Sequence, residues 1–335
     1  MNYIKQAKKK LVFTILLTIF VIISMFVDLC VGASNMPVCK VLWALFKDTG
    51  MKHDIIWMLR LPRVVTASIV GFGLGLAGSI FQVVLRNPLA SPFTLGIGSA
   101  AGFGAVCAII FFGGSNNIFQ ITIGAFLCSL MSAFLMIAIA KIKQASAETM
   151  ILSGIALTFL FSSLTSLLQY MGTMEQVHEI VFWFFGNLSR PGWREIACAS
   201  LMIFFPFPMF LKYAWNFNVL VHGDETAKTL GVEPEKLRIN SIIAASLVTA
   251  GSICFTGVIG FIGLVAPHIT RMIIGSDHQF LIPSSGLIGA MILVIADILS
   301  RTLFSPQIIP IGIVTSFIGV PFFLFLLLKK TREYW

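Results

Sequence analysis

The chain has 335 residues, 57% of them hydrophobic and only 11% charged, with a mean hydropathy of +0.94. Soluble domains are about half apolar and a quarter charged, so this chain has too little polar surface to cover a core in water, and its outside must face hydrocarbon. A net charge of +9 does not point to nucleic acid, because Lys and Arg sit in short gaps between apolar runs, as juxtamembrane cations do.

A helix needs about 20 apolar residues to cross the hydrocarbon core. Such runs occur at 11–31, 64–84, 93–112, 118–140, 149–170, 195–213, 238–258, 260–275, 282–301 and 311–328. The sequence therefore reads as an all-α polytopic membrane protein of about ten spans, one transmembrane domain over 1–335 with a tail at 1–10. Lys8, Lys9 and Lys10 precede the first run, and Val31-Gly32-Ala33 resembles a cleavage site. That run is longer than a signal h-region of about 7–15 residues and reads as a retained span. The eighth run is short and holds Pro267, His268 and Arg271. A broken helix buried among the others is expected there.

Ten spans put both termini on one side of a cell membrane. With the N-terminus inside, the inner segments hold roughly twice the Lys and Arg of the outer ones. That choice makes both termini cytoplasmic. Arg60, Arg63 and Arg301 are among the exceptions, at outer span ends.

Three connections exceed a simple turn. The first, 32–63, is outer. The second, 171–194, is also outer and carries Glu175-Gln176-Val177-His178-Glu179 and then Val181-Phe182-Trp183-Phe184-Phe185. It reads as a short amphipathic or re-entrant helix over the mouth. The third, 214–237, is inner, polar and helix-forming around Glu225 to Leu230, a natural docking surface for a soluble partner. Ala77-Gly78-Ser79-Ile80 in the second span returns as Ala250-Gly251-Ser252-Ile253 in the seventh. Those spans run oppositely, as an inverted repeat would place them, although four small residues also recur by chance.

Familiar reactive motifs are missing. Gly is nowhere followed by Lys, so there is no phosphate-cradling P-loop, and HExxH and GxSxG are absent. The five histidines are scattered, and the six cysteines form no CxxC pair. No catalytic residue, no metal site and no cofactor of its own is expected. Cys30 and Cys39 both lie near the outer surface, where a disulfide is one open arrangement. Ion-coupled transporters place acids or histidines at mid-membrane. Here Asp28, Glu148, Asp297 and Arg301 fall near span ends, leaving only His268 and Arg271. An ion-coupled secondary transporter is thereby the weaker rival, and an intramembrane enzyme lacks a candidate dyad. Glycines crowd the second, third and seventh-to-eighth spans, which suits close helix packing. Ser153, Thr158, Ser162, Ser163, Thr165 and Ser166 in the fifth span either face a wet path or bond their own carbonyls.

Arg60-Leu61-Pro62-Arg63, Arg86-Asn87-Pro88-Leu89-Ala90-Ser91-Pro92 and Leu95-Gly96-Ile97-Gly98-Ser99-Ala100-Ala101-Gly102 occur in order. They are followed by Gly260-Phe261-Ile262-Gly263-Leu264-Val265-Ala266-Pro267-His268-Ile269-Thr270-Arg271, Ala296-Asp297-Ile298-Leu299-Ser300-Arg301 and Pro310-Ile311-Gly312-Ile313-Val314-Thr315. From about Arg60 to Lys330 the chain resembles the FecCD family, the permease subunits of ABC importers for iron-siderophores, haem and cobalamin.

The resemblance implies a type II ABC importer permease fold of ten helices. It also implies a second permease subunit, identical or homologous, with the pathway between the two. Two ATPase subunits, which carry the ATP and Mg, would dock inside, and an extracytoplasmic substrate-binding protein outside. Arg60, Arg63 and Arg301 match outer arginines that meet acidic residues of that binding protein, and Asp297 stands one turn before Arg301, at pairing distance. The segment Leu220 to Gly231 resembles the coupling helix, with Leu220, Gly223, Asp224, Glu225, Ala227, Leu230 and Gly231 on the docking loop; Thr226 departs from the family pattern. Ser153, Thr158, Ser162 and Thr315 are the expected wetted residues of the path, and the turn at Ala145-Ser146 an expected inner gate. The implied cargo is an iron chelate, foremost a ferric siderophore, with haem and cobalamin as alternatives.

Overall fold

A computed structural model of the chain describes residues 2–32, 37–47, 50–113, 118–142 and 146–328. Ala33 and Ala145 therefore lie outside the described residues. The first helix, α1, covers Asn2–Cys30, so the expected tail is already helical from Asn2 onward; its lysines and glutamine are good helix formers. Two short helices follow, α2 (Val38–Phe46) and α3 (Met51–Asp54), the latter running through a π-helical turn at Ile55–Arg60 into α4 (Leu61–Val84). Then come α5 (Ile97–Phe112), α6 (Ile118–Lys141), α7 (Ala147–Met171), the short α8 (Met174–Phe185), α9 (Trp193–Phe204) and α10 (Phe207–Lys212). Two short polar-loop helices, α11 (Ala214–Leu220) and α12 (Asp224–Thr229), precede α13 (Pro234–Thr256), α14 (Ile262–Ile274), α15 (His278–Thr302) and α16 (Ile311–Leu328). Among the described residues there is no strand.

Seven of these stretches are long and apolar enough to cross a membrane, and α5, α14 and α16 are shorter apolar helices. Together they coincide with the ten runs read from the sequence. Side-chain contacts fix their directions. Thr14 meets Ser284 at 3.0 Å and Asp28 meets Arg301, so α1 and α15 run the same way. Gly71 abuts Ala290 and Gly75 abuts Gly289, so α4 runs against α15. Arg238 reaches the carbonyl of Val84 while Gly73 sits beside Ser252, so α13 also runs against α4. One face of the bundle thus holds Asp28, Arg63 and Arg301; the opposite face holds Arg86, Asp224 and Asp277.

The helix α4 is the hub, buried on nearly every side. Its glycines explain why. A methyl on Gly71 would stand 2.8 Å from the Cα of Ala290, and one on Gly78 would overlap the carbonyl of Gly263. Without a hydrophobic drive between helices in lipid, such backbone approach supplies the dispersion contacts that hold spans together. By contrast α1 exposes Leu11, Ile15, Ile19, Ile22 and Ile23, a lipid-facing surface.

The break expected within the eighth run is not found: α14 runs unbroken from Ile262 to Ile274 through Pro267, and the irregular backbone lies before it. Helix α13 stops at Gly257, with φ 77°, and 257–261 is non-helical before α14 starts. Phe261 has left-handed backbone, φ 66°. Gly257 packs on Trp183 of α8 and Phe261 on Gly319 of α16, while Val258 and Gly260 line a recess; backbone that borders protein and a cavity is tolerable at membrane depth. The stretches around Ala77 and Ala250 lie on α4 and α13, which pack together antiparallel. All six cysteines are free, Cys30 and Cys39 included.

Candidate functional site

At the first face the end of α1 leaves unpaired carbonyls, as every helix C-terminus does. Arg60 donates to the carbonyls of Leu29 (3.0 Å) and Cys30 (3.3 Å), and Arg301 to those of Val31 (2.7 Å) and Asp28 (2.9 Å). Arg301 also pairs with the Asp28 carboxylate and stands 3.1 Å from Asp297, the expected i,i+4 pair. Arg63 donates from Nε to both oxygens of Asp297 (2.8 and 3.0 Å) and from Nη1 to Ser189 Oγ (2.6 Å). The exposure expected of these arginines at an open mouth is not found. Arg60, Arg63 and Arg301 are tucked under the surface, Arg63 and Arg301 drawn inward by the wholly buried Asp28 and Asp297 and Arg60 by the carbonyls at the end of α1.

The second face carries the polar loop. Helix α12 begins at Asp224, close to the expected Glu225 to Leu230, and buries Ala227 while Glu225, Lys228 and Leu230 stay exposed. Gly223 (φ 106°) and Gly231 (φ 80°) bracket it. After the helix, Gly231 N–H donates to Lys228 and Val232 N–H to Ala227, a left-handed C-terminal cap for which glycine is the favoured residue. Leu220 is fully buried one element earlier. Asp224 is held by Arg238 at 2.9 Å, and Arg86 approaches at 3.7 Å. Beside this loop Asn218 bridges Asp277 (3.0 Å) and the His278 ring (2.7 Å), and Lys10 reaches Asp277 at 3.6 Å.

Between the faces lies a recess of about 530 Å³, lined by Phe184 and Phe185 of α8, Val258 and Gly260 of the broken stretch, and Ser316 and Phe317 of α16. Among the described residues no ionisable side chain lines it. A smaller recess of about 290 Å³ beside it holds Glu179, Trp183 and Arg190; burial lowers the proton affinity of Arg190, and Glu179 nearby opposes that. The four expected path residues are not gathered at the large recess. Ser153 and Thr315 face the interior and bond the carbonyls of Met150 and Gly312; Thr158, half-buried, bonds that of Gly154; Ser162 is exposed. Helix α7 buries every third or fourth residue from Met150 to Thr165 against its neighbours, so the hydroxyls divide between its two faces. Ser146 caps α7 by accepting from Thr149. His268 bonds the Pro88 carbonyl at 3.0 Å and Arg271 the Gln82 amide oxygen at 3.3 Å, so they tie α14 to the turn after α4 and to the last turn of α4 itself. Among the described residues no cluster of His, Cys, Asp and Glu could hold a metal ion.

Sequence reasoning passed over Asp28, Arg86 and Arg238 as site residues. A signal existed. Asp28 and Arg238 are charges at the margins of apolar runs, and a charge at membrane depth needs a partner.

Residues 17–329 match the FecCD transport family. The chain belongs to that family. An archaeal relative from Methanocaldococcus jannaschii, described as an ABC transporter permease, is 43% identical over 99% of this chain and 98% of its own. The hemin transport permease of Yersinia pestis is 34% identical over 92% of this chain and 94% of its own. The molybdate import permease of Haemophilus influenzae is 36% identical over 94% and 95%. A solved inward-facing structure described as a metal-chelate type ABC transporter superposes with TM-score 0.85 at 32% identity, over 95% of this chain and 99% of that one. Together with the seven long and three shorter apolar helices among the described residues, these matches support a multi-pass membrane protein.

Proposed function

We propose that this chain is the permease subunit of an ATP-driven importer that carries an iron chelate, foremost a ferric siderophore, across the cytoplasmic membrane by alternating access. The observation that carries the reading is the second face: a short helix, α12, capped at both ends by glycines, presenting Glu225, Lys228 and Leu230 outward on a buried Ala227. That is a small, rigid knob suited to a cleft in a soluble partner. Two ATPase subunits supply the motor there, since this sequence has no phosphate loop of its own. The second face, richer in lysine and arginine, is cytoplasmic, as are both termini. A second permease, identical or homologous, completes the pathway, and the apolar, uncharged recess beside α16 forms this chain's share of it. Such a lining suits a bulky chelate better than a bare ion, and relatives named for haem, Fe(3+)-citrate and cobalamin support that class.

A binding protein delivers cargo to the first face. Arg60, Arg63 and Arg301 lie beneath that surface, so an incoming carboxylate engages Arg63 and Arg301 by competing with Asp28 and Asp297, and Arg60 by competing with the carbonyls at the end of α1. The cargo is tested by uptake of labelled ferric siderophores, haem, cobalamin and molybdate in cells with and without the chain. Loss of ferric siderophore uptake alone is expected; loss of molybdate uptake alone overturns the cargo assignment.

A further inference from the structure

Among the described residues, only Arg86 and Phe261 combine a side chain with positive φ. Left-handed backbone is costly for any residue with a Cβ and persists only where its surroundings over-determine it. At Arg86, φ 45°, those surroundings are the cap that closes α4, in which Arg86 N–H donates to the carbonyl of Val83 and Asn87 N–H to that of Gln82. The guanidinium is delivered to Asp224, the first residue of α12, at 3.7 Å. Arg238 of α13 grips the same carboxylate with Nη2, 2.9 and 3.2 Å from its two oxygens. Its side chain is only 2% exposed, and its Nε donates to the carbonyl of Val84, the last residue of α4, at 3.1 Å.

One carboxylate therefore joins α12 to the ends of two long, buried spans. The exposed pairs of the same loop, Lys228 with Glu225 and Lys236 with Glu233, join nothing beyond their own turn. Helix α13 leads directly into 257–261, whose Val258 and Gly260 line the large recess, and α4 touches α14 through Gly78 and Gly263. A push on α12 that travels as a rigid displacement of α4 and α13 arrives at the recess wall.

We propose that Asp224, Arg238 and Arg86 form a charge clamp that makes α12 move as one body with α4 and α13, and so transmits motion from the loop to the recess. They are positioning residues, and the inference rests on the reading of α12 as the ATPase docking helix. Arg86→Gly removes the guanidinium while glycine, the favoured residue of a left-handed helix cap, keeps the backbone, so a lost response without lost stability distinguishes coupling from a simple tether for folding.

The test uses the full chain assembled with its ATPase subunits in lipid nanodiscs, with hydrogen exchange followed at 257–261 with and without a non-hydrolysable ATP analogue. Coupling between sites in proteins spans about 5- to 150-fold, and the wild-type complex is expected to change its exchange there by about ten-fold, within that range. In Arg86→Gly and Asp224→Asn the change falls below about two-fold, with partial recovery in Asp224→Glu, while Arg86→Gly melts at or above the wild-type temperature. If both variants keep the wild-type nucleotide response, the clamp is overturned. Should Asp224→Asn fail to assemble, Arg86→Gly alone decides. A wild-type complex that assembles with no ATPase, or gives no nucleotide response, overturns the importer reading and the clamp with it.

Discussion

Asp297 shows how much one buried carboxylate can hold. It receives Arg63 from α4 and Arg301 from its own helix, with none of its side chain exposed. A buried ion pair adds little net stability over an apolar substitute, but removing one partner strands the other charge at a cost of about 3–5 kcal/mol. Asp297→Asn is therefore expected to lower unfolding stability in detergent by about that amount, read as a loss of melting temperature. Arg194→Ala, at an exposed position of the same face, is expected to change it by less than about 0.5 kcal/mol. Equal melting temperatures for the two variants would show that the cluster is not desolvated. The i,i+4 pair of Asp297 and Arg301 was legible from spacing alone. The burial of all three arginines was not, because Arg63 from α4 meets Asp297 on α15, Arg301 meets Asp28 on α1 and Arg60 meets the end of α1, and a local pattern carries no information on which helix ends meet.

Among the elements, the apolar runs and the glycine spacing of α4 were readable because lipid leaves only helices as spanning structures and small residues mark where they touch. Gly78→Leu is expected to destabilise the bundle by about 1–3 kcal/mol through overpacking, since even a methyl there meets the backbone of Gly263. Gly260→Ala is expected to be silent in the same melting assay, because nothing stands near its added methyl. If Gly78→Leu melts like wild type, α4 and α14 do not pack at backbone contact. The eighth span was legible as short, but the break expected at Pro267 is absent, since α14 continues through it and the irregular backbone falls at 257–261 instead. The hydroxyls of α7 were not assignable, since period and composition do not say which face of a helix meets protein; the fold buries Ser153 and leaves Ser162 outside. Helix α8 was foreseen from its aromatic run, and its capping box of Thr173 and Gln176 fixes its start.

For the whole molecule, the proposed function places the energy source in a partner, in keeping with the permease relatives that the chain matches over nearly its full length. The ordered loop at 214–231 is where a motor would push, and the recess at α16 is where a pathway would open between two permeases. The two lie at different depths, with α13 and the broken stretch between them. The measurement that tests this account most directly is uptake of the labelled cargo into cells carrying this chain together with either an active or a catalytically dead ATPase partner. The account predicts uptake that needs this chain and vanishes with the dead ATPase while the membrane potential is intact. Uptake that needs the chain, ignores the dead ATPase and collapses with the ion gradient would contradict it.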